Sequence, residues 1–285
     1  MRKSRAVPSD PAVIELIQAA EAGAAEAAEA LAECYRTGKG VRRSNELALH
    51  WYSVGAKLGD ANAQNNLGTM LLNGIGCESD EAAAVPWYRA SAEQGNAVAQ
   101  FNLGLRYLHG SGVEQDDRTA GAWIAKSAAQ DYSPGIGQLG TLFRFGRGTK
   151  PDLLQAAQLH LAAAQAGDVT SHGNLSDYRA ELIEMALKGN REAAFDLCRM
   201  YDWGLGGEKS PALCWAWVQW AYESCPTMPK HKTHVEDLDA EVAAAFTFFQ
   251  TTIDREARER GDSLLVELLG KSGVSGKQQG KEKTG

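Results

Sequence analysis

The sequence predicts an all-α solenoid, a row of stacked helical hairpins closed by a C-terminal helical cap. Three observations lead there. A Gly-x-Gly element recurs at a step of 36 residues, as Gly38/Gly40, Gly74/Gly76, Gly110/Gly112 and Gly146/Gly148. A tryptophan follows eleven residues after the second glycine in three copies, Trp51, Trp87 and Trp123, with Leu159 in the fourth. A turn residue comes eight further on: Gly59, Gly95, Asp131 and Gly167. Such a period marks supersecondary units that bury their faces only against one another.

The second copy shows how each element arises. Ala63-Gln64-Asn65-Asn66-Leu67-Gly68 opens helix A, which the pattern carries to about Leu72. The small Ala63 and Gly68 admit a close neighbour, and Leu67 and Leu71 face the core at i, i+4. Asn73-Gly74-Ile75-Gly76 ends the helix, because glycine takes the left-handed cap conformation without a Cβ penalty. Ser79 or Asp80 can cap helix B, on which Ala84, Trp87, Tyr88, Ser91 and Ala92 follow at helical spacing. Gln94-Gly95-Asn96 returns the chain to the next helix A. Pro86 lies inside helix B, which predicts a kink or a late start.

These residues resemble the Sel1-like repeat, a relative of the tetratricopeptide repeat. Copy three matches that pattern through Leu103-Gly104, Tyr107, Gly110, Gly112-Val113, Ala120, Trp123 and Ser127-Ala128. Copies one and four repeat it with Leu31, Tyr35, Trp51-Tyr52 and Ala56, and with Leu139-Gly140, Phe143, Ala156 and Ala163-Ala164. The resemblance implies a right-handed superhelix whose A helices line a concave groove.

A fifth copy, with Leu197, Tyr201, Gly204, Gly206, Trp217 and Ala221, comes after an interruption, since Gly148 to Gly206 is 58 residues. The surplus holds an amphipathic segment, 176–188, equivalent to a lead helix at 11–22, and predicts a bend near His172-Gly173-Asn174. The expected organisation is a flexible start (1–10), a lead helix with four repeats (11–171), the interruption (172–190) and the fifth repeat (191–224). A loop with capping helices (225–270) and a disordered tail (271–285) complete it. The cap consists of a long helix from about His234, striped by Val235, Leu238, Val242, Phe246, Phe249 and Ile253. Gly261 is expected to break it before a short helix with Leu264, Leu265, Leu268 and Leu269.

Composition narrows the function. The net charge is −7 while both ends are basic, so the repeats are acidic and disfavour nonspecific binding to phosphate backbones. No run of about eighteen apolar residues is present, so membrane insertion is not expected. Pro8, Asp10, Pro11 and Glu15 interrupt the stretch after the basic start, so no secretory leader is expected. Five irregularly spaced cysteines favour a reducing compartment, the cytoplasm.

Candidates for chemistry reduce to structure. The Gly-x-Gly elements lack the dinucleotide fingerprint and the Gly-Lys-Ser/Thr end of a phosphate loop, and each falls between helices. The tryptophans recur at one helix B position and read as inter-repeat core, worth roughly 2–3 kcal/mol each. Cys198 stands where other copies have Gly68, Gly104 and Gly140, and Cys214 where they have Ala48, Ala84, Ala120 and Ala156. Both read as small buried residues. Cys225, His231 and His234 form the tightest Cys/His cluster, but three ligands at that spacing suit a polar loop better than zinc. No catalytic residue, cofactor or metal is expected.

By register, the tetratricopeptide-like resemblance places groove residues on helix A. They are Glu26, Glu29 and Glu33 in copy one; Asn62, Asn65 and Thr69 in copy two; and Val98, Phe101, Leu105 and His109 in copy three. Copy four adds Thr141, Arg144 and Phe145, and copy five Phe195, Arg199 and Trp203. Asn65 and Asn66 could clamp a peptide backbone, and Phe101 and Phe195 could anchor it. The resemblance implies a noncatalytic bacterial adaptor, scaffold or regulator holding a protein or peptide, basic where it meets the acidic end. Its alternatives are an immunity protein that neutralises one toxin, and a small-molecule-binding or hydrolytic relative. Cys34 and Cys77 have no counterparts in the other full copies, which separates the chain from the family's secreted, disulfide-rich branch.

Overall fold

Aspartate, asparagine and serine side chains start most of the helices. Asp60, Asp80, Asn96 and Asp116 each accept a hydrogen bond from a backbone N–H in the first turn of the helix they open. Each such cap is worth about 1 kcal/mol. The structure, a computed structural model, describes residues 10–224 and 238–272. Residues 1–9, the Cys225/His231/His234 cluster, Val235 and the tail beyond 272 lie outside the described residues, as do the side chains of Leu268 and Leu269. Every regular element among the described residues is helical, and the chain forms two units, Met1–Lys150 and Pro151–Gly285.

The first unit contains α1 (Pro11–Glu21), α2 (Ala25–Thr37), α3 (Asn45–Lys57), α4 (Ala61–Asn73), α5 (Glu81–Glu93), α6 (Ala97–His109), α7 (Asp117–Ala128) and α8 (Ser133–Phe145). Even-numbered helices are the A helices and odd-numbered ones from α3 the B helices. The expected hairpins pair as α2/α3, α4/α5 and α6/α7. Their cores straddle the copies: Ala32, Ala48 and Tyr52 pack with Ala63, Leu67 and Met70, and Trp87 covers them from the next helix B. Trp51 and Trp123 cover other clusters in the same way. These tryptophans are half-buried, and full burial falls to the residue after them, Tyr52, Tyr88 or Ile124. The Tyr88 ring lies flush on Gly68, where a Cβ would stand 3.1 Å from it.

Side chains also bracket successive copies. The Gln64 amide donates to the Ala56 carbonyl (3.2 Å) and Gln100 repeats this on Ala92 (3.1 Å). Gln94 donates to Gln64 and Gln130 to Gln100, both at 2.8 Å. The second glycines Gly76, Gly112 and Gly148 meet the previous copy: at Gly112, with φ +73°, a Cβ would lie 2.2 Å from the Glu81 carbonyl oxygen. Helix α5 starts on time at Glu81 and runs through the exposed Pro86 to Glu93, so no late start occurs.

The second unit contains α9 (Leu153–Gln165), α10 (Val169–Leu187), α11 (Arg191–Trp203), α12 (Pro211–Gln219), a π-helical turn (Trp220–Ser224), α13 (Leu238–Thr252) and α14 (Arg255–Ser272). Helix α10 passes unbroken through His172-Gly173-Asn174, where the sequence suggests a bend. Its buried residues Ser171, Leu175, Tyr178, Leu182 and Ala186 form one continuous stripe. That stripe outweighs the roughly 1 kcal/mol cost of a glycine within a helix.

The C-terminal break also differs from expectation. It falls at Ile253–Asp254, where Asp254 accepts from the Ala257 N–H and caps α14. Gly261 is buried inside α14 rather than ending a helix. A Cβ there would meet the Ala212 carbonyl at 2.4 Å and the Trp215 ring at 2.9 Å. The glycine allows α14 to cross α12 closely, and the Trp215 indole N–H donates to Asp262 at 2.8 Å beside that crossing.

Candidate functional site

The A helices of the first unit share a face whose polar side chains are bonded from helix to helix. Asn102 on α6 donates to Asn65 on α4 (3.0 Å), Asn65 donates to Asn66 (3.4 Å), and Asn66 donates to Glu29 on α2 (3.5 Å). Thr69 donates to the Asn65 carbonyl and accepts from the Tyr88 hydroxyl. The sequence reading assigns Asn65 and Asn66 to a peptide clamp. In the structure the buried Asn65 amide is engaged by its neighbours, whereas Asn62 is exposed. Asn62 accepts from Asn96 at 2.9 Å.

The acidic end divides into three environments. Glu26 is exposed. Glu33 is held by both Arg36 bonds (2.6 Å each) and by the Tyr52 hydroxyl (2.8 Å). The Arg36 guanidinium draws its carboxyl below the usual range, with Tyr52 helping. Glu29 is shifted upward, first by burial and then by the negative charges of Asp60 and Glu33. The face therefore keeps one exposed carboxylate, one paired with a cation and one that is partly buried and shifted upward.

Further along, Val98, His109 and Phe145 are exposed, Phe145 by 66%. Phe101 packs edge-on to Tyr132 with centroids 5.6 Å apart, and Leu105 leans on the core around Leu108 and Ile124. Thr141 donates to the Gly137 carbonyl at 3.2 Å, and the Arg144 guanidinium lies 5.9 Å from the Phe145 ring centre. Asn102 and Tyr52 hold this face but escape the sequence reading. The signal was present for Asn102, which stands one period of 36 residues beyond Asn66 and shares its register.

The second unit has its own site. Phe195, Arg199 and Trp203 of α11 line a cavity of about 240 Å³ with Cys198 and Asp202, opposite Glu241, Ala245 and Phe249 of α13. Phe195 is buried, while Trp203 stays 40% exposed under the Arg199 guanidinium, 5.1 Å from the ring centre. A groove position on α11 is thus covered by a helix of the same chain.

Beneath it, Asp196 is buried and 3.5 Å from Arg199. Burial pushes its carboxyl up to about 7; Arg199 and a Gln158 hydrogen bond pull it down, and Glu192 and Glu241 raise it. The unfolded chain releases this proton near pH 4. Stability is therefore fully present below that pH and falls until the folded group ionises near 7. Asp196→Asn should remove this fall, on the order of 4 kcal/mol between pH 4 and 8. Urea midpoints of both proteins across that range test it, and parallel curves would mean that Asp196 ionises normally.

Among the described residues no group of three or more His, Cys, Asp or Glu side chains could hold a metal ion. No helix there is long and apolar enough to cross a membrane.

The profile of the Sel1 repeat matches residues 25–60, 61–96, 97–132, 135–168 and 191–223. A protective antigen of uropathogenic Escherichia coli strains, displaying an SLR fold, is similar at 25% identity and a TM-score of 0.55. The match covers 92% of this chain but 63% of the antigen, so the chain spans under two thirds of that relative's length. A Sel1 repeat protein from Oxalobacter formigenes is similar at 25% identity and a TM-score of 0.54, over 79% of this chain and 100% of that one. An immunity protein from Pseudomonas aeruginosa aligns at 19% identity and a TM-score of 0.40, over 88% of this chain and 78% of its own. Among curated proteins none matches.

Proposed function

Because the chain belongs to the Sel1 repeat family, whose members generally serve as noncatalytic protein-interaction scaffolds, we propose that it is an adaptor that holds a protein or peptide on the A-helix face of its first unit. One observation carries this reading: side chains from α2, α4 and α6 are hydrogen-bonded to one another along that face before any partner arrives. A face whose side chains are already ordered loses little conformational entropy on binding, which leaves more of each contact for affinity. The bonded ladder forms the floor, and the exposed Glu26, Asn62, Val98, His109 and Phe145 are the groups available for contact.

The contact groups set the partner's chemistry. Glu26, with Glu29 behind it, favours a basic residue at the copy-one end, and steering by such charge speeds association more than it tightens the complex. Phe145 supplies an aromatic anchor at the other end of the unit. A partner captured from the native organism should lose about 30-fold affinity or more to Phe145→Ala, the range of an aromatic hot spot. Glu26→Lys should mainly slow association. A partner that binds the double variant with unchanged affinity and rate would remove this face from the proposal.

A further inference from the structure

The fifth repeat departs from its relatives at two small positions. Where copies two and three carry Gly68 and Gly104 on helix A and Ala84 and Ala120 on helix B, copy five carries Cys198 on α11 and Cys214 on α12. Their Sγ atoms stand 2.8 Å apart. That is inside the contact distance of about 3.5–4.0 Å for non-bonded carbon atoms, and sulfur is larger. Both residues are buried, yet Cys198 also lines the cavity between α11 and α13. Cys198 is therefore the member of the pair at the cavity wall, and Cys214 touches it from behind. A lone buried cysteine would be an inert small side chain; a touching pair with one member at a cavity wall has the layout of an attacking and a resolving thiol.

We propose that Cys198 and Cys214 form a reversible disulfide tying α11 to α12, with Cys198 the sulfur that meets the oxidant. The oxidant is a low-molecular-weight disulfide. The Cys198 thiolate attacks one of its sulfurs, the oxidant's S–S bond breaks, and half of it leaves and takes up a proton as a thiol. The Cys214 thiolate then attacks Cys198 Sγ and expels the second half, which also takes up a proton. Two protein thiols lose two hydrogens and two electrons, and the oxidant gains both. Burial, with the hydrogen bond and charge of Cys214 as the next causes, holds the Cys198 thiol well above the usual range. The first step is accordingly slow, while contact between the sulfurs makes the second fast. The bridge closes a short loop across the helix turn and fixes the α11 wall of the cavity, which carries Phe195, Arg199 and Trp203.

The test uses the full chain, 2-hydroxyethyl disulfide as oxidant and dithiothreitol as reductant. Peptide mapping of the oxidised protein should show Cys198 and Cys214 joined, with two hydrogens lost. The unfolding temperature should rise on oxidation and return on reduction. Cys214→Ala, which places the residue of other copies at that position, should stall as a mixed disulfide on Cys198. Cys198→Ala should leave Cys214 unreacted and the unfolding temperature insensitive to the oxidant. The exposed Cys77 reports that the oxidant is active. Recovering both Cys198 and Cys214 as free thiols while Cys77 is fully converted would overturn the proposal, as would a bridge between either of them and a different cysteine.

Discussion

Gly112→Ala is expected to destabilise the first unit by roughly 3–4 kcal/mol, against about 1–2 kcal/mol for Gly95→Ala. Both glycines have positive φ, +73° and +93°, so both substitutions incur the strain of an L side chain in that region. Only Gly112 is crowded. Its Cβ would stand 2.2 Å from the Glu81 carbonyl oxygen and 2.5 Å from the Glu81 carbonyl carbon, whereas Gly95 has nothing within 4 Å. Backbone atoms cannot rotate away as a side chain can. The loop must retreat from the start of α5, stretching the 2.7 Å bond from Ser111 to the Glu81 carboxylate and with it the 2.8 Å bond from Arg106 to Ser111. Urea unfolding of the two variants separates the contributions, and equal losses would show that the copies do not touch at Gly112.

Trp217→Ala should cost about 3–5 kcal/mol, the range for removing a fully buried large aromatic. Trp217 has no exposed surface, unlike Trp51, Trp87 and Trp123, which keep one edge in solvent. Trp87→Ala should therefore cost less. Trp217→Phe should be milder still, because the Trp217 indole N–H is buried without a hydrogen-bond partner among the described residues. Losing that group removes a desolvation penalty that offsets part of the lost packing. Calorimetric unfolding of the three variants checks the order. A Trp217→Ala protein as stable as Trp87→Ala would place Trp217 outside the core of its unit.

Much of the fold was legible because the repeat announces itself through residues with one structural use. A glycine pair at each helix end and small residues at the helix A–helix B contact admit few alternatives. Errors gathered where a residue type has two uses. Gly261 reads as a helix breaker in sequence, yet it sits inside α14 because it permits a close crossing with α12. Gly173 reads as a bend, but the stripe from Ser171 to Ala186 carries α10 through it. Local propensity gave way to packing in both cases.

The candidate site was less legible. Register placed the helix A residues correctly on their helices, but it carries no depth. Asn62 and Asn65 lie on the same helix, one exposed and the other buried in the amide ladder. Nor could register anticipate that α13, far along the chain, covers the α11 position where Phe195 lies. The contact between Cys198 and Cys214 escaped for a related reason: each matches a small residue in other copies, and only the folded hairpin brings the two together.

The glutamine brackets have a consequence for how such a chain can change length. Gln64 finds the Ala56 carbonyl in the preceding copy, and Gln100 finds the Ala92 carbonyl in the same way. Copy two thus presents at its trailing edge the same acceptor that its own leading edge seeks. A recombination that duplicated residues 61–96 would join two ends already complementary, and excising them would rejoin Gln100 to Ala56. At this module the gene can grow or shrink by a whole copy with the seam sealed at once. A fractional insertion has no ready-made seam, and the chain absorbs the one at α10 by extending a single helix to nineteen residues.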